Sequence, residues 1–233
     1  MLAAGPAAFW SHQVGDRIVD EVAGNDAKTH GSVANERFAV DDGWAQADDR
    51  PEYSVDHTGA LTICFALRVD DPFNSDYVYG IGKGDDRRYE WGVRLYNEGH
   101  SKAGQRSLYH WNLDGGLGSG AGWRDDGSMG LDYWSAVFTN DAVYGPANVH
   151  NNFEPWNFKG KCVLYRNGVV QPTGAPGNYM SQYGVIPEGA KAPVFIGRRG
   201  MSDRHWGGVT VQKLALFNRE LSADEIRVLA DSF

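Results

Sequence analysis

Residues 61–69 read Leu-Thr-Ile-Cys-Phe-Ala-Leu-Arg-Val, and large apolar side chains occupy every second position. Successive residues of a β-strand point to opposite faces, so this period of two predicts a strand with one buried face. Related alternation recurs at residues 89–95, 134–139, 162–166 and 209–217, and residues 193–197 add a short apolar run. The pattern predicts a chain built mainly from β-strands.

Turn chemistry between these runs indicates antiparallel pairing. Asn167-Gly168 separates Tyr165 from Val169-Val170, and both residues of this dipeptide tolerate the positive φ that a tight hairpin turn requires. Strands joined by Gly, Asn and Asp turns are typical of an antiparallel sandwich. We therefore predict an all-β fold, an antiparallel jelly-roll β-sandwich.

One short helix is predicted, at the C-terminal end of the sequence. Ser222-Ala223-Asp224-Glu225 has the spacing of a capping box, in which the serine caps the helix and the glutamate reaches back to it. The apolar residues that could face the sheets are Leu221, Ile226 and Leu229.

Length and charge limit the classes of function. The 233 residues carry a formal net charge of −8, and 42% of them are hydrophobic. No linker, repeat or charge block divides the chain, so we predict a single domain spanning residues 1–233. The negative charge argues against binding to nucleic acid, which needs clustered Lys and Arg. No apolar run approaches the ~20 residues of a membrane-spanning helix, and the first residues lack the basic region of a signal peptide.

Several motifs together resemble a known family. They are Phe9-Trp10, Gly24-Asn25, residues 61–69, Leu164-Tyr165-Arg166-Asn167-Gly168-Val169, and the closing run from Leu214 to Ile226 that contains Asn-Arg-Glu-Leu-Ser. The chain resembles the LamG-like family of the concanavalin A-like lectin/glucanase superfamily. This resemblance implies a concanavalin A-like jelly roll over nearly the whole chain, and these motifs specify a fold more securely than a function.

The same resemblance implies a structural calcium site. Asp20 and Asn25 match the positions of the family's acidic loop, and Gln212 stands where the family often supplies a further carboxylate. Calcium is bound by several oxygen ligands, and the amide of Gln212 beside Lys213 is a weaker contribution than a carboxylate. Asp20 and Asn25 could instead stabilise a turn without a metal. No cofactor is required by the sequence.

Catalytic motifs are sparse. A glycanase of this superfamily would carry an E-x-D-x-x-E strand, with two glutamates on one face about 5 Å apart, and the sequence lacks this spacing. The chain is therefore predicted not to be an enzyme. A polysaccharide lyase built from Tyr109, His110 and Arg94 stays open as an alternative.

Aromatic residues in polar segments are the candidate ligand contacts. Sugars stack on aromatic rings beside amide side chains, which points to Trp123, Trp156 and Trp206 with Asn151 and Asn152. Each tryptophan has the alternative of packing in the core. Residues 97–130 read as a polar, glycine-rich stretch with a single strand at residues 108–113.

Three functions follow, in order of preference. The first is a non-catalytic assembly protein, a bacteriophage head-decoration or tail component at the virion surface, which would contact other virion proteins and form a homo-oligomer such as a trimer. The second is a glycan-binding, lectin-like adhesion module that acts outside the cell on surface polysaccharide. The third is a polysaccharide-degrading enzyme, a hydrolase or a lyase.

Overall fold

The structure is a computed structural model. It describes residues 5–31, 38–39, 43–54, 60–69, 79–84, 88–95, 105–112, 120–124, 130–139, 158–170, 182–184, 191–197 and 209–232. Within this part of the chain, no helix is long and apolar enough to span a membrane.

The described residues form sixteen strands, a 3-10 turn at Pro51–Tyr53 and one C-terminal helix. The helix, α1, spans Ala223–Ser232. The strands are β1 (Ala8–Val14), β2 (Arg17–Asp20), β3 (Ala27–His30), β4 (Phe38–Ala39), β5 (Trp44–Ala47), β6 (Ala60–Val69), β7 (Tyr79–Gly84), β8 (Arg88–Leu95), β9 (Gln105–Asn112), β10 (Gly120–Arg124), β11 (Gly130–Thr139), β12 (Phe158–Arg166), β13 (Val169–Val170), β14 (Gln182–Gly184), β15 (Val194–Ile196) and β16 (Val209–Phe217).

The strands hydrogen-bond into one curled antiparallel sheet. Its order is β10-β9-β8-β7-β15-β5-β3-β2-β1-β16-β6-β11-β12-β13, and β14 and β4 pair with β12 and β16 beside this path. The predicted all-β antiparallel fold with one short C-terminal helix is confirmed. One detail of the prediction was wrong: residues 97–130 contain β10 in addition to the strand β9, because a glycine-rich segment can still extend an existing sheet edge through its backbone.

The main core lies on the inner face of the curled sheet. Leu61, Ile63, Phe65 and Leu67 of β6 are buried in it, as their alternation predicts. The other strands contribute Ala8, Trp10, Ile18, Ala27, Ala45, Ala47, Ile81, Trp91, Val194, Ile196, Val211, Leu214 and Leu216. Two fully buried tryptophans are a large part of this core, since an aromatic side chain buries about 150–250 Å².

A second apolar cluster lies on the outer face of the central strands. Phe9, Cys64, Tyr133, Ala215 and Phe217 are buried there, under Leu221, which precedes the helix, and the helix residues Ile226 and Leu229. Helix α1 therefore covers the outer face of β1, β16, β6 and β11, and the prediction that Leu221, Ile226 and Leu229 face the sheet is confirmed.

The predicted capping box and the predicted hairpin turn are also confirmed. The Ser222 hydroxyl accepts a hydrogen bond from the backbone N–H of Glu225 at 3.3 Å, and the Glu225 carboxylate accepts one from the Ser222 N–H at 2.9 Å. At the hairpin after β12, Asn167 and Gly168 have φ values of 49° and 78°. The Asn167 amide oxygen accepts the Tyr133 N–H, which ties this turn to β11.

The register defines two ends of the sandwich. At the Asp20 end, β2 finishes at Asp20 and β3 begins at Ala27; at the Trp44 end, β3 finishes at His30 and β5 begins at Trp44. Ala47 pairs with Val194 and Val194 with Lys83, so β5 and β7 finish at the Asp20 end and β15 begins there.

Glycine at position 82 is required by close packing between β7, β8 and β15. A Cβ atom added there would lie 2.7 Å from the Phe195 ring and 2.7 Å from the carbonyl oxygen of Trp91. Phe195 is 1% exposed, so its ring has little room to move. The backbone contact with Trp91 cannot be relieved by a side-chain rotation.

We expect Gly82→Ala to lower the free energy of unfolding by about 1–3 kcal/mol, as overpacking of a filled core does. Urea denaturation measures this. The double variant Gly82→Ala/Phe195→Leu should recover only part of the loss, because the contact with the Trp91 carbonyl stays. A single variant as stable as the wild-type protein would contradict the packing described here.

The capping box also predicts a pH dependence. The hydrogen bond from Arg219, followed by the backbone hydrogen bond from Ser222, lowers the pKa of Glu225 from 4.5 to about 2. A lowered folded-state pKa means that the carboxylate stabilises the fold above the unfolded value, and that this stabilisation is lost as the pH falls through the folded value.

We therefore expect Glu225→Gln to reduce stability by about 1 kcal/mol above pH 4.5, a modest value because the side chain is 41% exposed. The difference from wild type should shrink as the pH falls from 4.5 towards 2, in urea titrations at a series of pH values. The control Asp231→Asn alters an exposed carboxylate in the last turn and should cause no loss above pH 4.5. An equal loss for Glu225→Gln at pH 3 and pH 7 would contradict this account.

Candidate functional site

The strand ends that border the sequence-predicted ligand residues lie at both ends of the sandwich. Trp123 lies on β10, paired with Arg106 of β9, near the point where β10 finishes at the Trp44 end. Trp156, Asn151, Asn152 and Trp206 lie outside the described residues. Thr139 and Phe158, which border residues 140–157, are at the Asp20 end, whereas Gly197 and Val209, which border residues 198–208, are at the Trp44 end. The strand ends that carry the predicted ligand segments are thus on opposite ends of the sandwich.

The Asp20 carboxylate is a hydrogen-bond acceptor for the whole turn after β2. Its Oδ1 accepts backbone N–H groups from Phe9 at 3.0 Å, Val22 at 3.1 Å and Ala23 at 3.2 Å. Its Oδ2 accepts the N–H of Asn25 at 3.2 Å. Asp20 is 3% exposed, and a buried carboxylate is stable only when such donors replace water.

Asn25 extends this network to the segment after β5. Its side-chain amide donates to the Asp48 carbonyl at 2.9 Å and to the Tyr53 hydroxyl at 3.3 Å. Its own carbonyl accepts the indole N–H of Trp10 at 3.0 Å, and the Tyr53 carbonyl accepts that of Trp91 at 2.9 Å. Burial raises the pKa of Tyr53, opposed by the hydrogen bond from Asn25. Two buried indoles are therefore satisfied at the Asp20 end.

A buried lysine completes this end of the sandwich. Lys83 of β7 is 1% exposed, on the same face of the sheet as the core residue Ile81. Its Nζ lies 2.9 Å from Oδ1 of Asp49, whose side chain is 33% exposed. A buried ammonium is tolerated when a carboxylate and further polar groups accompany it. Sequence reasoning missed this pair, because Gly-Lys-Gly reads as an exposed turn.

Of the three predicted calcium ligands, the structure brings Asp20 and Asn25 together. Trp10 pairs with both Asp20 and Leu214, so Gln212 lies two residues further along β16, an offset of roughly 7 Å in the strand direction. Four N–H donors surround the Asp20 oxygens, and among the described residues no group of three His, Cys, Asp or Glu could hold a metal. The calcium site stays a prediction.

Three side chains with acid–base chemistry meet where Ser11 and His12 of β1 lie beside Glu21, the residue after β2. The hydroxyl of Ser11 lies 2.8 Å from Nδ1 of His12 and also donates to Glu21, whose Oε1 lies 3.3 Å from that same nitrogen. In a catalytic triad, the nucleophile and the acid bind opposite nitrogens of the imidazole. Because both partners share Nδ1 here, this cluster does not reproduce a triad.

The residues of the lyase alternative lie on neighbouring strands. Arg94 pairs with Ser107, and Gly92 pairs with Tyr109, so Arg94 and Tyr109 stand two positions apart along the β8–β9 ladder. His110 follows Tyr109 on β9. The lyase alternative stays a prediction.

A stacked aromatic pair lies at the Trp44 end. His30 and Trp44 face each other across β3 and β5, with ring centroids 3.9 Å apart and an angle of 10° between the ring planes. Both side chains are half-buried. Sequence reasoning did not identify the pair, because the two residues are fourteen positions apart and neither belongs to a long alternating run.

The Asp20 network leads to a stability prediction. Replacing Asp20 with Asn places an amide where the carboxylate accepts N–H groups, so at least one buried donor loses its acceptor. We expect the free energy of unfolding to fall by about 2–3 kcal/mol in urea denaturation.

The matched control is Asp16→Asn. The Asp16 side chain is 75% exposed and 3.9 Å from Arg17, a surface pair that contributes little. This variant should stay within about 0.5 kcal/mol of wild type. Equal effects of the two substitutions would show that Asp20 does not hold the turn.

Sequence comparisons do not assign the chain to a family. No protein-family model matches this sequence, and no curated protein matches it. The LamG-like assignment therefore stays a prediction beyond the jelly-roll fold itself.

Solved structures are similar over almost the whole chain. The receptor-binding domain of botulinum neurotoxin C/D mosaic serotype has a TM-score of 0.66 and 12% identity, covering 98% of this chain and 51% of that one. The binding domain of botulinum neurotoxin DC in complex with SialylT has a TM-score of 0.63 and 14% identity, covering 97% and 51%. A mutant of Trypanosoma rangeli sialidase displaying trans-sialidase activity has a TM-score of 0.61 and 16% identity, covering 98% and 33%.

The chain spans about half the length of these neurotoxin domains and a third of the sialidase chain. At such low identities the likeness shows the fold alone. The chain has a jelly-roll β-sandwich fold.

Proposed function

We propose that this chain is a lectin-like module that binds glycans. The observation that carries the proposal is the structural likeness, over at least 97% of this chain, to receptor-binding domains and a sialidase. The binding domain of botulinum neurotoxin DC is in complex with SialylT in one solved structure and with rat synaptotagmin II in a further one, which covers 100% of this chain at a TM-score of 0.64. A fold by itself hosts many functions, so glycan binding also requires a surface suited to sugars.

The two layers of the sandwich differ in what lies on their outer faces. Helix α1 and its apolar cluster cover the outer face of β1, β16, β6 and β11. The outer face of β3 and β5 instead carries Lys28, His30, Trp44 and Gln46, all exposed or half-buried. Aromatic rings beside amide and charged groups are the usual composition of a site that binds a polar ligand. This second face is therefore the better surface for a glycan.

The test is a glycan array that displays both animal and bacterial saccharides, probed with the fluorescently labelled chain. Each positive glycan is then titrated in solution by calorimetry. We expect saturable binding to a set of related glycans. The absence of saturable binding to every glycan, by a chain whose circular dichroism shows folded β-structure, would overturn the proposal.

The bacteriophage-component hypothesis gains no support from the comparisons. The virion location, the virion partners and the trimer stay predictions. The polysaccharide-degrading alternative also stays a prediction, and incubation of the array-positive glycans with the chain, followed by analysis of released sugars, tests it.

A further inference from the structure

One contiguous surface combines the stacked rings with positive charge. Ile18, Ala27, Ala45 and Ala47 of β2, β3 and β5 are buried in the main core. The residues that alternate with them therefore lie on the outer face. Arg17 pairs with Lys28, Lys28 with Gln46, and His30 with Trp44. We call these five residues, Arg17, Lys28, His30, Trp44 and Gln46, the Trp44 patch.

The aromatic part of the Trp44 patch can hold a sugar ring. The nearly parallel stack, with centroids 3.9 Å apart, fixes the orientation of both rings. A rigid aromatic surface offers contact area at a low entropic cost, and the C–H groups of a pyranose pack on such a surface. Gln46, next to Trp44 along this face, adds an amide that can both donate to and accept from sugar hydroxyls.

The charge of the Trp44 patch is opposite to that of the whole chain. Arg17 and Lys28 are both exposed cations in a protein of net charge −8. Arg17 lies 3.9 Å from each of Asp16 and Asp26, a distance at which surface ion pairs contribute little. Lys28 has no ion-pair partner among the residues that the structure describes. A ligand carboxylate would find two cations on adjacent strands.

We infer that the Trp44 patch binds the carboxylate-bearing sugar of an acidic glycan, stacked on the His30–Trp44 pair with its carboxylate towards Lys28 and Arg17. This inference rests on the proposed glycan-binding function and names the site and the ligand class. Surface charge complementarity of this kind sets specificity and depends on ionic strength.

The experiment compares three probes by calorimetry: 3′-sialyllactose, neutral lactose, and an oligosaccharide that contains glucuronic acid. We expect at least one acidic probe to bind more tightly than lactose, with an affinity that falls as salt is added. Tighter binding of 3′-sialyllactose or of the glucuronic acid oligosaccharide shows which acidic sugar supplies the carboxylate. Acidic probes that bind no more tightly than lactose would overturn the inference.

Two variants test whether the acidic probe binds at the Trp44 patch. Lys28→Glu and Trp44→Ala should each lower the affinity for the acidic probe by about tenfold. Lys28→Glu alters an exposed residue, so it tests the site even if Trp44→Ala does not fold. The control Lys191→Glu makes the same charge change at an exposed residue before β15, at the Asp20 end, and should leave the affinity unchanged.

The failures of the two proposals are distinguishable. Glycan binding that neither Lys28→Glu nor a folded Trp44→Ala affects would overturn the Trp44 patch and leave the proposed function standing. A folded wild-type chain that binds no glycan, in the array or in solution, would overturn both.

Discussion

The fold depends on the way in which one buried carboxylate satisfies the backbone at the Asp20 end. Asp20 accepts four N–H groups, from β1 and from the turn between β2 and β3. Three of these donors, Val22, Ala23 and Asn25, lie in the turn, where the ladder no longer provides acceptors, and an unpaired buried N–H is costly. Asn25 in this turn donates to the Tyr53 hydroxyl, and the Tyr53 carbonyl accepts the indole N–H of Trp91. These hydrogen bonds connect the first hairpin to strand β8 through residues that are far apart in sequence.

This connection has a consequence for the surface. At the Asp20 end, the buried polar groups Asp20, Asn25 and Lys83 have partners within the chain, Lys83 with the partly exposed Asp49. One outer face is covered by α1. The outer face of β2, β3 and β5 is instead polar, aromatic and partly exposed. The same strands that supply Ile18, Ala27, Ala45 and Ala47 to the core therefore supply the proposed ligand contacts on their other side. A strand of alternating pattern performs both roles without a change in the backbone.

The sequence predicted the elements whose signals are local. Strand β6 has four large apolar residues in alternation, and Ser222 with Glu225 forms a cap within four residues, so both were identified correctly. Strands β2, β3 and β5 have only four residues each, and β3 and β5 contribute only alanines to the core, which gives too weak an alternation to recognise. Strand β10 was missed because its glycines carry no side-chain pattern. The resemblance identified the jelly-roll fold, which the similar structures support.

The candidate site was harder to predict because its contacts are not local. His30 and Trp44 stack only because β3 and β5 are neighbours in the sheet, and the sequence does not state which strands pair. Lys83 lies between two glycines, and its burial follows from the position of β7 between β8 and β15. Asp20 and Asn25 were selected from sequence for calcium, which stays a prediction. In the structure the Asp20 carboxylate accepts four backbone N–H groups, and the Asn25 side chain donates to the Asp48 carbonyl and the Tyr53 hydroxyl.

Amide hydrogen exchange measured by NMR tests the central claim most directly. The account predicts that the backbone N–H groups of Phe9, Val22, Ala23 and Asn25 are strongly protected in the native chain, although Val22, Ala23 and Asn25 lie outside the strands, because the Asp20 carboxylate holds them. Exchange of these N–H groups at the rate of an unstructured peptide, while those of β6 stay protected, would contradict it.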